Sequence, residues 1–127
     1  AYTVQAFASA RRLAGAFGAY IATSPAQEDT AREGLLAEFA RLREAPVTTE
    51  ELERARTYAL GTHAIQQQSG GAVLGEVVDA WLFGEGLGEL DAYVDRVRAV
   101  DAADIRALAE RHFDPARRVE GIVRGAP

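Results

Sequence analysis

Strand-like and helix-like patterns are kept apart along this chain, and that segregation constrains the fold more than any other feature. Residues 1–9 alternate: Tyr2, Val4, Ala6 and Ala8 fall on one side, Thr3, Gln5, Phe7 and Ser9 on the other. Period two, with Tyr, Thr, Val and Phe, is the pattern of a β-strand. Ala10–Gly15 carries two arginines and a glycine and suits an exposed turn. Ala16–Thr23 then returns as a second strand, predicting an antiparallel hairpin. Helical periods follow almost to the end, where Arg118–Arg124 reads as a final strand. The order strand, strand, five helices, strand predicts an α+β domain over residues 1–127, its antiparallel or mixed sheet covered by helices on one face.

The helix boundaries are written in local chemistry. Ser24-Pro25-Ala26-Gln27 predicts a capped start, with proline in the first turn and Gln27 completing a capping box. Ala31, Leu35, Phe39 and Leu42 trace the stripe of that first helix, and Pro46 ends it. Thr48-Thr49-Glu50-Glu51 opens a second helix by the same logic, with Leu52, Ala55, Ala59 and Leu60 inward. Ser69-Gly70-Gly71 breaks the chain. Ala72–Phe83 is apolar on most sides and holds the sole tryptophan, so Trp81 is expected to be buried beside Leu74, Val77 and Val78. Leu90, Tyr93, Val94 and Val97 mark a fourth helix. Asp101 caps a fifth, with Ile105, Leu108 and Ala109 inward, and Asp114-Pro115 stops it.

Composition removes several function classes. The net charge is −5 with no basic stripe, which argues against nucleic acid as a partner. No run is apolar and long enough to span a bilayer, so no membrane role is expected. There is no cysteine, which excludes disulfide and thiol chemistry. All 14 basic residues are arginine, so lysine-based catalysis is excluded too. The arginine-only, alanine-rich usage fits a GC-rich, bacterial coding sequence. The chain opens inside a strand without methionine, cap or polar arm, and is expected to be part of a larger protein. An edge left unpaired in the sheet would then favour self-association.

The residues able to carry chemistry do not converge in the sequence. His63 and His112 stand alone, with neither H-E-x-x-H nor H-x-x-E-H around them. A zinc site wants three or four ligands, so none is expected in this chain. His112 is placed to meet the negative end of its helix. Glu50, Glu51, Glu53, Asp101 and Asp104 fall in first helical turns, where acids offset the dipole. Asp91 and Asp95 are spaced to pair with Arg98 or face solvent. Ser9, Ser24 and Ser69 lie in no G-x-S-x-G. Gly84-x-Gly86-x-Gly88 follows no strand and precedes no lysine, so it is not a phosphate loop. No catalytic constellation is present.

Several ordered stretches nevertheless carry a resemblance. Ala1-Tyr2-Thr3-Val4, Gly18-Ala19-Tyr20-Ile21-Ala22-Thr23-Ser24-Pro25 and Pro46–Ala55 resemble the M16 (pitrilysin/insulinase) zinc peptidases. So do Leu82–Leu87, Tyr93–Ile105, Phe113-Asp114-Pro115 and Val119–Gly125. In that family two homologous α+β halves close around a peptide. One half carries H-x-x-E-H and zinc; the other lacks zinc and lines the substrate chamber. The start and the Val-Glu-Gly-Ile-Val-Arg-Gly ending make this chain resemble the later part of the non-catalytic half. The resemblance implies a catalytic H-x-x-E-H partner half, in the same or a separate chain, that supplies the zinc. It also implies a peptide substrate, an edge strand to which the peptide adds, and a substrate-contacting role for Tyr2. Its matching arginine would precede Ala1. The alternatives are a structural or scaffold subunit of the same fold, or an unrelated α+β interaction domain.

Overall fold

The computed structural model describes residues 1–10, 13–84 and 86–125. In chain order they form β1 (Thr3–Ala10), β2 (Gly15–Ala22) and a 3-10 turn (Pro25–Gln27). Then come α1 (Glu28–Glu44), α2 (Thr49–Gln66), α3 (Gly70–Leu82), α4 (Gly88–Ala99), α5 (Ala102–His112) and a second 3-10 turn (Pro115–Arg117). This is the α+β class read from the sequence. The chain divides into two compact units, one of Ala1–Ala8, Ala16–Pro46 and Ala103–Pro127, the other of Ser9–Gly15 and Val47–Ala102.

In the first unit β1 and β2 make a two-stranded antiparallel sheet. The Tyr2 N–H donates to the Ala22 carbonyl at 2.7 Å, extending the pairing one residue before β1. The Phe7 ring lies against Gly18, where any Cβ would collide with it. Phe17 of β2 meets Phe39 of α1 edge-on, with centroids 6.1 Å apart, and Phe113, just past α5, at 5.0 Å. Phe39 and Phe113 close the triangle at 4.9 Å, again edge-on. Offset and edge-on pairs of this kind add about 0.5–1.5 kcal/mol each beyond their buried area. Ala109 of α5 is fully buried. Ala31, Leu35, Phe39 and Leu42 form part of the less exposed side of α1, as their period predicts.

Three expectations for this unit are corrected. Ser24 makes no side-chain cap, because Pro25–Gln27 opens as a 3-10 turn and the Gln27 N–H bonds the Ser24 backbone carbonyl at 2.9 Å. Leu108 faces solvent. The strand expected at Arg118–Arg124 is absent, and residues 118–125 carry no regular structure. A strand exists only when a neighbour takes up its backbone groups, and the described sheet stops at two strands.

In the second unit the Thr48 capping box is complete. The Glu51 N–H donates to Thr48 Oγ1 at 3.2 Å and the Thr48 N–H to Glu51 Oε2 at 2.8 Å. Leu52 is buried one residue on. Ser69 caps α3 by accepting from the Ala72 N–H, so the Ser-Gly-Gly break also starts a helix. Gly86, at φ 104°, makes the turn toward α4 and donates its N–H to the Ala80 carbonyl at 3.2 Å. The expected burial of Trp81 is overturned: it is 70% exposed, and Leu74, Val78 and Leu82 are exposed with it. At 100° per residue these four share one side of α3, while Val73, Glu76 and Ala80 share the other. A helix apolar on most sides has more apolar surface than its neighbours in this unit cover. No helix among the described residues is long and apolar enough to cross a membrane.

Candidate functional site

The residue singled out from the sequence, Tyr2, stands at the open end of the hairpin. Its backbone is fixed by the bond to Ala22, while its side chain is 79% exposed. A phenol held this way has one O–H to donate and a lone pair to accept. The strands beside it, Thr-Val-Gln-Ala-Phe-Ala-Ser-Ala and Gly-Ala-Phe-Gly-Ala-Tyr-Ile-Ala, contain no charged residue and no proline. Charges and prolines are what usually blunt a sheet edge. Val4, Phe7 and Tyr20 are exposed along the same hairpin. The site can therefore offer backbone pairing to an extended chain, apolar and aromatic contact to its side chains, and one hydroxyl.

The second unit holds a polar node that the sequence did not reveal. Glu76 points from α3 toward α2, where His63 Nδ1 lies 3.5 Å from Glu76 Oε1. Gln67, just past α2, donates its amide to the other oxygen of the same carboxylate. The Tyr93 ring of α4 stacks on the imidazole with centroids 4.3 Å apart. His63, expected as an isolated helix residue, is thus the centre of a three-helix contact. The available signal was a single carboxylate, Glu76, on the same helical side as Val73 and Ala80.

The remaining candidates stay apart. His112 is exposed in the last turn of α5, where a cation meets the helix's negative end. Glu53 pairs with Arg56, whose guanidinium also donates to the Val100 carbonyl. Asp95 lies 3.9 Å from Arg98. Glu50 and Glu51 are first-turn acids of α2, and Asp104 is one of α5. Among the described residues no group of three or more His, Cys, Asp or Glu could hold a metal ion, so the residues present do not fit a zinc centre.

Two ion pairs fasten residues 118–124 along α1. Arg32 clamps Glu120 with both Nε and Nη2, at 2.7 and 3.1 Å, and Arg118 joins the same carboxylate at 2.6 Å. Arg124 clamps Glu28 at 2.9 and 2.6 Å. Hydrogen bonding from the paired arginines holds both carboxyls below the usual glutamate range.

Residues 1–58, just under half the chain, match the family model of the peptidase M16 inactive domain. The match spans the hairpin, α1 and the first part of α2, and the likenesses quoted beyond residue 58 lie outside it. No curated protein and no solved structure matches the chain.

Proposed function

We propose that this chain, whose residues 1–58 carry the peptidase M16 inactive domain, lines the peptide chamber of an M16-type peptidase. Hydrolysis belongs to a zinc-bearing partner half with H-x-x-E-H. The match to an inactive domain supports the non-catalytic role. The observation that carries peptide binding is the pair of uncharged, proline-free strands with Tyr2 79% exposed at their open end. An extended peptide adds to such an edge through its own backbone, and alternate side chains face the exposed aromatics. The Tyr2 hydroxyl then donates to a peptide carbonyl.

Peptide hydrolysis by the two-half enzyme tests this, with wild type compared against Tyr2→Phe. Loss of one hydrogen bond to substrate costs about 1–3 kcal/mol. The expected result is therefore a kcat/KM lower by roughly ten- to a hundredfold, with zinc content and melting unchanged. Unchanged kcat/KM would reduce Tyr2 to an ordinary strand aromatic. A collapsed melting transition would assign it a structural role.

A further inference from the structure

Phe17 and Gly18 are neighbours in β2, so they point to opposite faces of the sheet. Phe17 takes the face toward α1, where its ring meets Phe39 and Phe113. Gly18 therefore opens on the other face. The space that a Cβ at Gly18 would fill is taken by the far end of the Phe7 ring, reaching across from β1. Cε1 and Cε2 of that ring each lie 2.9 Å from the Cβ position, and Cζ lies closer still. Phe7 is nevertheless 53% exposed. Tyr20, two residues beyond Gly18 and on the same face, is 54% exposed.

Glycine weakens a strand, and inside one it marks a place where another group comes close to the backbone. Here that group is the Phe7 ring. Any side chain at position 18 would lift it. The result is an aromatic shelf on the face away from α1, with Phe7 seated on the backbone of β2 and Tyr20 beyond it. Neither strand supplies a charge. An apolar side chain laid on this shelf gains contact with a ring. A charged one sheds water there and finds no opposite charge on either strand.

We propose that Phe7, seated on Gly18, decides which peptides the site accepts: extended peptides with an apolar side chain, aromatic or aliphatic, at the position that meets the ring. This rests on the peptide-binding reading above and adds the class of side chain taken. An extended peptide alternates its side chains, so every second one is presented to the same face. Phe7 makes the contact. Gly18 is a positioning residue that acts by leaving the ring room to reach across.

The test is hydrolysis, by the two-half enzyme, of short Ala/Ser/Thr peptides carrying one guest residue. The guest is Phe, Leu, Ala or Glu, and it is moved along the peptide. At one position the Phe and Leu guests should exceed the Ala guest in kcat/KM by about tenfold or more, with Glu lowest. Phe7→Ala should erase most of that preference, and Phe7→Leu should keep much of it. Gly18→Ala should reduce the preference while Phe7 is present. It should add nothing to Phe7→Ala, because no ring is left to lift. If Gly18 only supported the strand, its substitution would slow all guests alike and would add to Phe7→Ala. That result, a wild type with no apolar preference at any position, or a preference that survives Phe7→Ala would overturn the proposal. Tyr2→Phe separates this from failure of peptide binding itself. A drop for every guest with Tyr2→Phe, alongside a preference indifferent to Phe7, would remove the shelf and leave the peptide site standing. Hydrolysis untouched by any of the four variants would remove both.

Discussion

The two units of this chain are held together by opposite means. The first relies on an apolar triangle, Phe17, Phe39 and Phe113, and fastens its loose ends with exposed ion pairs. The second joins three helices around one half-buried carboxylate, Glu76, on which His63 and Gln67 converge beside the Tyr93 ring. The difference is one of tolerance. Apolar packing survives changes of salt and pH, whereas exposed ion pairs are screened by salt. A half-buried polar node loses its centre when the carboxylate goes, but an exposed member such as Gln67 can turn to water instead, so its loss is moderate.

The strongest way to break the comparison is to remove one side of the aromatic triangle. Phe113→Ala should cost about 2–3 kcal/mol, less than a fully buried phenylalanine, because Phe113 is only half-buried. Hydrogen exchange should show the loss in β2, α1 and α5 and spare α2–α4. Equal loss throughout would mean that the two units melt as one.

A somewhat smaller effect is expected at the polar node. Glu76→Ala removes the acceptor of Gln67 and the carboxylate beside His63 and should cost about 0.5–1.5 kcal/mol, read as faster exchange in α2, α3 and α4. Glu76→Gln should recover part of it, since an amide oxygen still accepts. Should the alanine and glutamine variants be equally stable, the node would be a bystander to helix packing.

The smallest effect sharpens the contrast through pH and salt. The carboxyls of Glu28 and Glu120 titrate below their unfolded value because arginines hydrogen-bond to them. A lowered folded value means the stabilisation is complete above the ordinary glutamate range and is lost as pH falls through the folded value. Acid below the ordinary glutamate range should therefore free residues 118–124 before it disturbs the aromatic triangle. Added salt at neutral pH should have the same sign. Exchange of residues 118–124 that ignores both would show that the ion pairs do not hold the segment.

These contrasts also explain what the sequence disclosed. The Thr48 cap was legible because its whole mechanism lies within Thr48–Glu51. Ser24 misled because the same residue types can open a 3-10 turn, and only the backbone decides which. The first helix's stripe was legible because period alone sets the face. Burial of Trp81 was not, since hydrophobicity states which surface a helix would cover but not whether a neighbour is there to cover it. The pattern at 118–124 was correctly amphipathic, yet a strand is a relation between two segments and its partner cannot be read locally. The Glu76 node was hidden for the same reason, being assembled from three helices separated in the chain. Tyr2 is exposed at the hairpin's open end, and the residues around it in the chain name no partner for its hydroxyl.

The outward placement of Trp81 has an optical consequence. The chain has one tryptophan, so all indole emission reports on the exposed side of α3. Emission from the free chain should lie near that of indole in water and be quenched readily by iodide. Whatever comes to rest on Leu74, Val78 and Trp81 will shift the spectrum to the blue and shield it from quencher. The chain thus carries its own label for occupancy of α3, with no dye attached.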